Sequence, residues 1–369
     1  MTMRTHLLFT AAVTFCGTIS AQGVITRMNA GQATFRYDGN LAAVIEAADL
    51  ALGTDTIIMG GGTYALPADL LINSPVVIIG TGFRADSSAT YNGGRTVITT
   101  PGAYRIIRFL DGADGSELHG LAIRGSIEVR LGQNLGNSAV DGFRVKRCDM
   151  DNLLLGPGSF GSNATNAIIE ESVIDVMDIN EASNPLIRSC FIRNLTGAIA
   201  SSNATVENCT FLGYQISTNT NVTYRNCIFG RNSNAAIIVN EASTFVECVF
   251  AGNGTSFSYS FGAAPTDGGG NQSAAYFAGA SPNAVFPNIL PANVVASFNN
   301  YVATNNYHVG TAWATAGLGG TEVGVYGGSS AWKEGSIPFN PHWRELTQTG
   351  STGSGVIPGV TIKGSAQTH

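Results

Sequence analysis

The chain has 369 residues, including 46 glycines, with 44% hydrophobic and 12% charged residues and a formal net charge of −6 at pH 7. An acidic chain with only three lysines argues against proteins that track phosphate backbones or attach to anionic membranes through basic clusters. This length ordinarily implies two compact domains, but an elongated repeat fold escapes that limit because each layer contacts only its neighbours.

The first residues follow the order of an export signal. Arg4 precedes an apolar run over residues 7–15, and Ile19-Ser20-Ala21 supplies the cleavage positions. We therefore predict a signal peptide over residues 1–21, cleaved near Ala21, and a secreted or cell-surface protein. No later stretch reaches the roughly 18 apolar residues of a membrane span, so no transmembrane segment is expected.

A helix and the first coils are predicted next. Asn40 can cap a helix that ends before Gly53, and one face of this helix is apolar, with Leu41, Val44, Ile45, Ala48 and Leu52. Residues 22–53 are therefore predicted to be a leading segment and a capping helix. Three short segments follow, over residues 55–58, 62–64 and 75–80, and they predict the first strands.

An internal repeat dominates the middle of the chain. Each unit alternates apolar and polar residues around a small residue, and these small residues are 24, 18, 19, 18 and 21 positions apart: Cys148, Ser172, Cys190, Cys209, Cys227 and Cys248. A period near 20 with alternation inside each unit predicts short strands that must stack, since no unit buries its apolar side alone. We expect each small residue, and the residue two positions later, to point into the core. Asn208 and Asn226 are expected at the bends.

The predicted fold is therefore all-β, a single-stranded right-handed parallel β-helix over residues 54–328 with an extension or cap over residues 329–369. Right-handedness follows from the general preference of parallel crossovers. Residues 257–343 concentrate aromatic side chains, and we expect them to cover the C-terminal edge of the stack, because an open strand edge recruits other chains.

Several phrases resemble a known group of proteins. Asp55-Thr56-Ile57-Ile58, then Gly62-Thr63-Tyr64 and Ile78-Ile79-Gly80-Thr81-Gly82, are similar to the opening of secreted right-handed parallel β-helix proteins of Bacteroidetes, within the pectate-lyase-like superfold. Gly320-Thr321-Glu322-Val323-Gly324 resembles their final coil. The resemblance spans roughly residues 33–363 and implies fold and export. It leaves the activity open, because this architecture carries lyases, hydrolases and adhesins.

The best-placed acidic residues lie in the repeat. Asp151, Asp175 and Arg193 each follow a small-residue position by three, which predicts an outward column, and Asp149 and Lys146 are nearby. These five residues are the candidate catalytic set, and Asp151 and Asp175 are also candidate Ca²⁺ ligands. The alternative is a solvated stack of acids and arginine, since surface ion pairs are common.

Two partial catalytic patterns are also present. His119-Gly120 and then Arg144-Val145-Lys146 resemble part of the polygalacturonase pattern, but the paired carboxylates that hydrolysis requires are missing. A lyase would use an Arg or Lys side chain as its base, beside carboxylates that bind Ca²⁺. Seven basic residues could supply that base and form a mild anion-binding patch: Arg105, Arg108, Arg124, Arg130, Arg144, Lys146 and Arg147.

The leading functional prediction is a non-catalytic extracellular or cell-surface β-helix that binds a glycan or another surface component. The alternatives are a polysaccharide lyase or glycoside hydrolase acting on an acidic polysaccharide, and a structural surface or filament component. Candidate ligand-binding residues are Trp332, Trp343 and Arg144, because aromatic faces stack on sugar rings and arginine binds anions. No cofactor is predicted beyond Ca²⁺, nucleic acid is not an expected partner, and a monomer is expected.

Overall fold

The computed structural model describes residues 24–30, 32–36, 39–49, 53–84, 94–132, 139–156, 164–197, 203–217, 221–231, 237–239, 241–253, 258–277, 284–289, 293, 300–333, 342–348 and 360–365. Side chains are described for these residues except 36, 214–217, 237, 342–348 and 360–365. The predicted signal peptide, residues 1–21, lies outside the described residues. No helix among the residues described is long and apolar enough to cross a membrane.

Two long sheets form the sides of a coil, and their strands are numbered β1 to β30 along the chain. The first sheet contains, in spatial order, β2 (Gln32–Arg36), β1 (Ile25–Asn29), β3 (Asp55–Met59), β6 (Val76–Ile79), β9 (Glu117–His119), β12 (Arg144–Lys146), β15 (Ile168–Glu170), β17 (Leu186–Arg188), β19 (Ala204–Glu207), β21 (Val222–Arg225), β24 (Thr244–Val246) and β27 (Thr266–Asp267).

The second sheet contains, from the opposite end, β28 (Gln272–Ala275), β25 (Val249–Gly252), β22 (Ile228–Arg231), β20 (Thr210–Ser217), β18 (Phe191–Thr196), β16 (Val173–Asp178), β13 (Asp149–Leu154), β10 (Ala122–Leu131), β7 (Thr96–Thr99) and β4 (Gly62–Ala65), with β8 (Arg105–Phe109) beside β10 and β5 (Leu70–Ile72) beside β8. Three strand pairs complete the set: β11 (Val140–Asp141) with β14 (Ala164–Thr165), β23 (Ile237–Val239) with β26 (Tyr259–Phe261), and β29 (His342–Gln348) with β30 (Val360–Ser365).

Both sheets are parallel from β3 onward, and the chain alternates between them. Successive coils therefore place equivalent residues about 4.8 Å apart, one above another. The predicted fold class, an all-β parallel solenoid, is confirmed.

The interior follows the predicted pattern. Cys148, Cys190, Cys209, Cys227 and Cys248 are completely buried, and Ser172 fills the missing step in their column. The Ser172 hydroxyl accepts a hydrogen bond from the Cys148 backbone N–H at 3.1 Å. Two positions on, the rings of Phe211, Phe229 and Phe250 stack with centroids 4.8 and 5.1 Å apart. Small residues at the corner thus leave room for large ones beside them.

A corner between the two sheets recurs on each coil. Residues with left-handed backbone form this corner, and Asn208 and Asn226 both have φ of 53°. Their side chains are buried, and the Asn226 amide donates to the Asn208 carbonyl oxygen at 2.6 Å. Asparagine suits this position because it tolerates the conformation and bonds its neighbours. The predicted placement of both residues at bends is confirmed.

The N-terminal end contains a helix and a β-hairpin. Helix α1 (Leu41–Asp49) begins after Asn40, whose side-chain oxygen accepts a hydrogen bond from the Ala43 N–H at 3.2 Å, and its buried face joins the core. Strands β1 and β2 pair antiparallel and extend the first sheet beyond β3. Arg27 of β1 forms an ion pair at 3.0 Å with the buried Asp55. The sequence analysis did not predict this hairpin.

Residues 300–333, here called the strap, lie along the outer side of the second sheet. The last parallel strand of that sheet is β28, so the strap, whose residues up to 328 were predicted to be coil, is corrected to a lateral cover. Within the strap are two short 3₁₀ turns, Thr311–Trp313 and Leu318–Gly320. Its aromatic residues pack against the flank of the coil and not over its end, because the outward residues of the second sheet are themselves apolar.

Backbone hydrogen bonds fix the strap to the corner residues. The Gly324 N–H donates to the Asn226 carbonyl at 2.9 Å, and the Asn226 amide donates to the Glu322 carbonyl at 3.0 Å. A Cβ on Gly324, whose φ is +83°, would lie 2.5 Å from Ile228, so a side chain there would force the strap away. The strap is therefore packed in close register with the coil.

We expect the five core cysteines to be reduced thiols. Neighbouring cysteines point in parallel from coils about 4.8 Å apart, so their β-carbons are farther apart than the roughly 3.8 Å of a disulfide. Burial raises the pKa of Cys148 to about 12, which suppresses the reactive thiolate. Alkylation without reductant, followed by mass spectrometry, should modify all five after denaturation and few in the native protein. Two stable bridges in the denatured sample would contradict the stacked register.

Substitution of Asn226 should cost more stability than substitution of Asn221. Both have left-handed backbone, with φ of 53° and 58°, but Asn221 is exposed and Asn226 is buried. Asn221→Ala should lose about 1 kcal/mol from backbone strain alone. Asn226→Ala should lose about 3 kcal/mol, because it also removes the hydrogen bonds to Asn208 and the strap. Urea unfolding measures both, and equal losses would contradict the role given to the buried amide.

Candidate functional site

A cavity of about 460 Å³ opens on the outer side of the second sheet, where the strap meets the early coils. This volume lies in the usual range of small-ligand sites. The lining consists of Phe83, Arg84, Arg95, Arg124, Asp149, Tyr301 and Ala303. The coil thus supplies the charged residues and the strap supplies Tyr301 and Ala303.

The floor of the cavity is set by a bend in β10. Gly125 and Ser126 have φ of 82° and 66°, and the register between β10 and β13 shifts after Ile123. The strand therefore turns away from the straight sheet immediately after Arg124. This bend leaves the Arg124 side chain above β13, within reach of its acidic residues.

Arg124 is held by two carboxylates of the next coil. Its Nη1 donates to Asp151 Oδ1 at 2.6 Å, and its Nη2 donates to Asp149 Oδ1. Burial alone would lower the pKa of Arg124, but the charges of Asp149 and Asp151 and their hydrogen bonds raise it overall. The guanidinium therefore stays protonated and fixed in position.

Asp149 is the one acidic side chain among the residues that line this cavity. Its side chain is 14% exposed, and burial raises its pKa above the ordinary value, although Arg124 acts in the opposite direction. Its Oδ1 is bound to Arg124, whereas no described residue donates a hydrogen bond to its Oδ2. One oxygen of this carboxylate is thus available to a ligand.

The walls carry two further arginines. Arg84 donates from Nη2 to the Ala303 carbonyl at 3.2 Å and lies over the Tyr301 ring, 5.1 Å from its centroid. Arg95 is exposed, and its side chain forms no ion pair or hydrogen bond with the described part of the chain. A cation at this distance from a ring is attracted to the ring face. Arg84 therefore connects the coil to the strap, and the exposed Arg95 also favours the charged form of Asp149 through its charge.

Two rings complete the lining. Phe83 is buried against Trp332, and Tyr301 is half-buried, with its ring centroid 4.7 Å from that of Phe191. Three guanidinium groups beside one carboxylate give the cavity a positive field, and an aromatic face can pack on a sugar ring or another flat apolar surface. The arrangement suits an anionic organic ligand.

The predicted acidic column exists on this side of the coil. The register places Asp151 beside Asp175, and Asp175 beside Arg193. Asp175 accepts hydrogen bonds from Arg193 at both oxygens, with Oδ2 to Nη2 at 2.8 Å. Asp151 is equally occupied, because its Oδ2 accepts from the Gly125 N–H at 2.8 Å. The column is a stack of acids between arginines, which was the alternative interpretation of the sequence.

Metal binding by Asp151 and Asp175 finds little support in this geometry. A Ca²⁺ ion requires six to eight oxygen ligands, and both carboxylates are already bound to arginine. In the described ranges, no group of three or more His, Cys, Asp or Glu side chains is arranged to hold a metal ion.

Lys146 and Arg144 do not join the acids. Both lie on β12 in the first sheet, whereas Asp149 begins β13 in the second, so the corner at Arg147 and Cys148 turns them to another side of the coil. Lys146 pairs in register with His119 and lies 3.5 Å from both Glu170 and Glu171. The candidate set that combined Lys146 with the three aspartates is therefore corrected.

Trp332 is corrected as a ligand-binding surface. It is 4% exposed, and its ring packs against Phe191 with centroids 5.1 Å apart. The indole supports the strap and presents no face to solvent. Trp343 lies in β29, and its side chain is outside the described residues.

Sequence reasoning did not identify Phe83, Arg84, Arg95 or Tyr301 as members of one site. Arg124 was noted only within a group of seven basic residues, which the fold distributes over different strands. The sequence did contain one signal: Arg84 and Arg95 lie between β6 and β7 of one coil, and Arg124 lies on β10 of the next coil. The strap that supplies Tyr301 could not be positioned from periodicity.

A second concavity, of about 400 Å³, lies on the first sheet and has no charged lining residue. Its threonines are in register from coil to coil: Thr205, Thr223, Thr244 and Thr266. Repeating hydroxyls follow from repeating coils, and no buried polar group there calls for a ligand. The charged cavity is therefore the candidate functional site.

Comparison with known proteins supports the fold. Residues 133–276 match the family model described as "Right handed beta helix region". No curated protein and no solved structure gives a significant match. The matched segment includes Asp149 but not Arg84, Arg95, Arg124 or Tyr301, so it supports the right-handed coil and leaves the ligand of the cavity open.

The raised pKa of Asp149 should appear as a pH dependence of stability. Because its native pKa lies above the unfolded value of 3.8, the folded state binds the proton more tightly between the two values. The free energy of unfolding of the wild type, relative to that of Asp149→Asn, should therefore increase as the pH falls through the native pKa. The same difference should decrease as the pH rises through it. Urea unfolding of both proteins at intervals from pH 4 to pH 8 measures this difference. A wild type that gains relative stability with rising pH would show that Arg124 dominates over burial.

Proposed function

We propose that this chain is an exported β-helix protein that binds an acidic glycan, without cleaving it, in the cavity between the second sheet and the strap. One observation carries this proposal: three arginines and two aromatic rings surround a single carboxylate in one cavity. Export is supported by the pattern of charged, apolar and cleavage residues that ends near Ala21.

The lining matches the chemistry of an acidic sugar. Guanidinium groups bind carboxylates through paired, charge-assisted hydrogen bonds. Arg95 can make such a pair without breaking an ion pair or hydrogen bond to a described residue. Arg84 adds a second positive charge, whereas the charge of Arg124 is balanced by Asp149 and Asp151. Tyr301 offers a ring beside these charges, as sugar-binding sites commonly do. A neutral polysaccharide would offer no anionic group to Arg95.

Cleavage is the alternative function, and the geometry favours it less. Hydrolysis requires two carboxylates on opposite sides of the scissile bond. Asp149 has one oxygen available, but both oxygens of Asp151 accept hydrogen bonds within the coil. Elimination requires a base beside the uronate, and Arg124 is kept protonated by two aspartates. A structural surface or filament role makes no use of a charged cavity.

Replacing Arg95 should weaken binding without affecting the fold. We expect Arg95→Ala to lower the affinity for a uronate hexamer about tenfold, because one charge-assisted hydrogen bond contributes about 1.5 kcal/mol or more. The control is Arg225→Ala, which removes an equally exposed arginine from β21 on the first sheet. Isothermal titration calorimetry with the uronate hexamer and with a neutral glucose hexamer measures the effect.

Two results would contradict the proposal. Equal loss of affinity in the two variants would mean that general charge, and not the cavity, attracts the ligand. Accumulation of unsaturated product or new reducing ends during incubation with the wild type would make the protein an enzyme. Loss of that product in Asp149→Asn would then assign the chemistry to the cavity.

A further inference from the structure

Three of the aspartates on the second sheet, Asp149, Asp151 and Asp175, differ in the hydrogen bonds that their oxygens accept. Asp151 and Asp175 accept hydrogen bonds from the coil at both oxygens. Asp149 uses Oδ1 for Arg124, and within the described residues nothing donates to Oδ2. Asp149 is also the one of the three that lines the charged cavity.

The register explains why Asp149 differs. Its direct neighbours on the adjacent strands are Ala122 and Val173, which carry no charge. Among the described residues it forms an ion pair with Arg124 from the next column, and Arg95 acts on it only through its charge. Asp151 and Asp175 instead have Arg124 and Arg193 within their own column. The cavity therefore contains a carboxylate that its surroundings neutralise only in part.

An ionised carboxylate accepts hydrogen bonds and donates none. The Asp149 carboxylate lies among three arginines, where it weakens the attraction for anions at one point of the cavity. At that point a ligand binds better if it presents a hydrogen-bond donor. A ligand that fits has its anionic group near Arg84 or Arg95 and a hydroxyl near Asp149. A ligand with an anionic group in place of that hydroxyl meets repulsion and leaves Oδ2 without a donor.

We propose that Asp149 is a specificity-determining residue: its Oδ2 accepts a hydrogen bond from a hydroxyl beside the ligand's acid group, so that the cavity selects a carboxylated sugar with that hydroxyl free over a sugar of equal charge that carries a sulfate in its place. This inference rests on the proposed binding of an acidic glycan. It adds the rule by which the site distinguishes two acidic sugars of equal charge.

The test compares three hexamers with six negative charges each: a uronate, the same uronate with methylated hydroxyls, and a hexose whose one sulfate per ring replaces the hydroxyl beside the position of the uronate's acid group. Wild-type protein should bind the uronate at least tenfold more tightly than the other two, as expected for a lost donor facing a charged acceptor. Asp149→Asn should bind the uronate and the sulfated hexamer within about twofold of each other. Asn is isosteric, and Asp151 still holds Arg124, so circular dichroism should show an unchanged fold.

Asp178→Asn is the matched control, because it removes the same charge from the neighbouring strand β16 outside the cavity lining. It should retain the wild-type preference. If the wild type binds the uronate and the sulfated hexamer equally, or Asp149→Asn keeps the preference, the inference is overturned while binding of acidic glycans stands. If the wild type binds none of the three hexamers, the proposed function itself fails. The methylated hexamer tests the hydroxyl without any substitution, so a poorly folded Asp149→Asn would not remove the test.

Discussion

Every coil depends on its neighbours to bury its apolar side chains, and this requirement fixes the register of the whole stack. A shift of one residue would turn the buried side of a strand toward solvent. Each position of the repeat consequently becomes a column, so that a cysteine lies above a cysteine and a phenylalanine ring above a ring. Equivalent residues of the core, the corners and the outer surfaces are aligned from coil to coil because of this one constraint.

The same constraint produces the strap and the cavity. The outward column that begins each strand of the second sheet is largely apolar, with Ala122, Val173, Phe191 and Ile228 all buried. Such a surface needs a cover, and the aromatic residues of the strap supply it. The column is interrupted by Asp149, where an apolar cover is unfavourable because a charge must remain partly hydrated. The cavity lies at this interruption.

The sequence was sufficient for features that repeat and insufficient for features that occur once. The spacing from Cys148 to Cys248 predicted the coil, its inward columns and the Asn208 and Asn226 bends, because each rests on several equivalent residues. The strap has no repeat, and its aromatic composition suits the end of the coil and its flank equally well. Its position depends on long-range hydrogen bonds such as that between Asn226 and Glu322, which no local pattern encodes. Trp332 was assigned a ligand role because an aromatic face can stack on a sugar ring, and no pattern showed that the strap buries it.

The chemical difference between Asp149 and Asp151 shows how register decides function on such a scaffold. The two residues are of the same type, on the same strand, and both bind Arg124. Asp151 also receives the Gly125 backbone N–H, because the bend of β10 brings that group over its column. Asp149 lies one column away, between alanine and valine, and keeps one oxygen for an external partner. Whether a carboxylate on a β-helix is available to a ligand therefore depends on its neighbours on the adjacent coils. Residue type and sequence spacing alone assign Asp149 and Asp151 the same role.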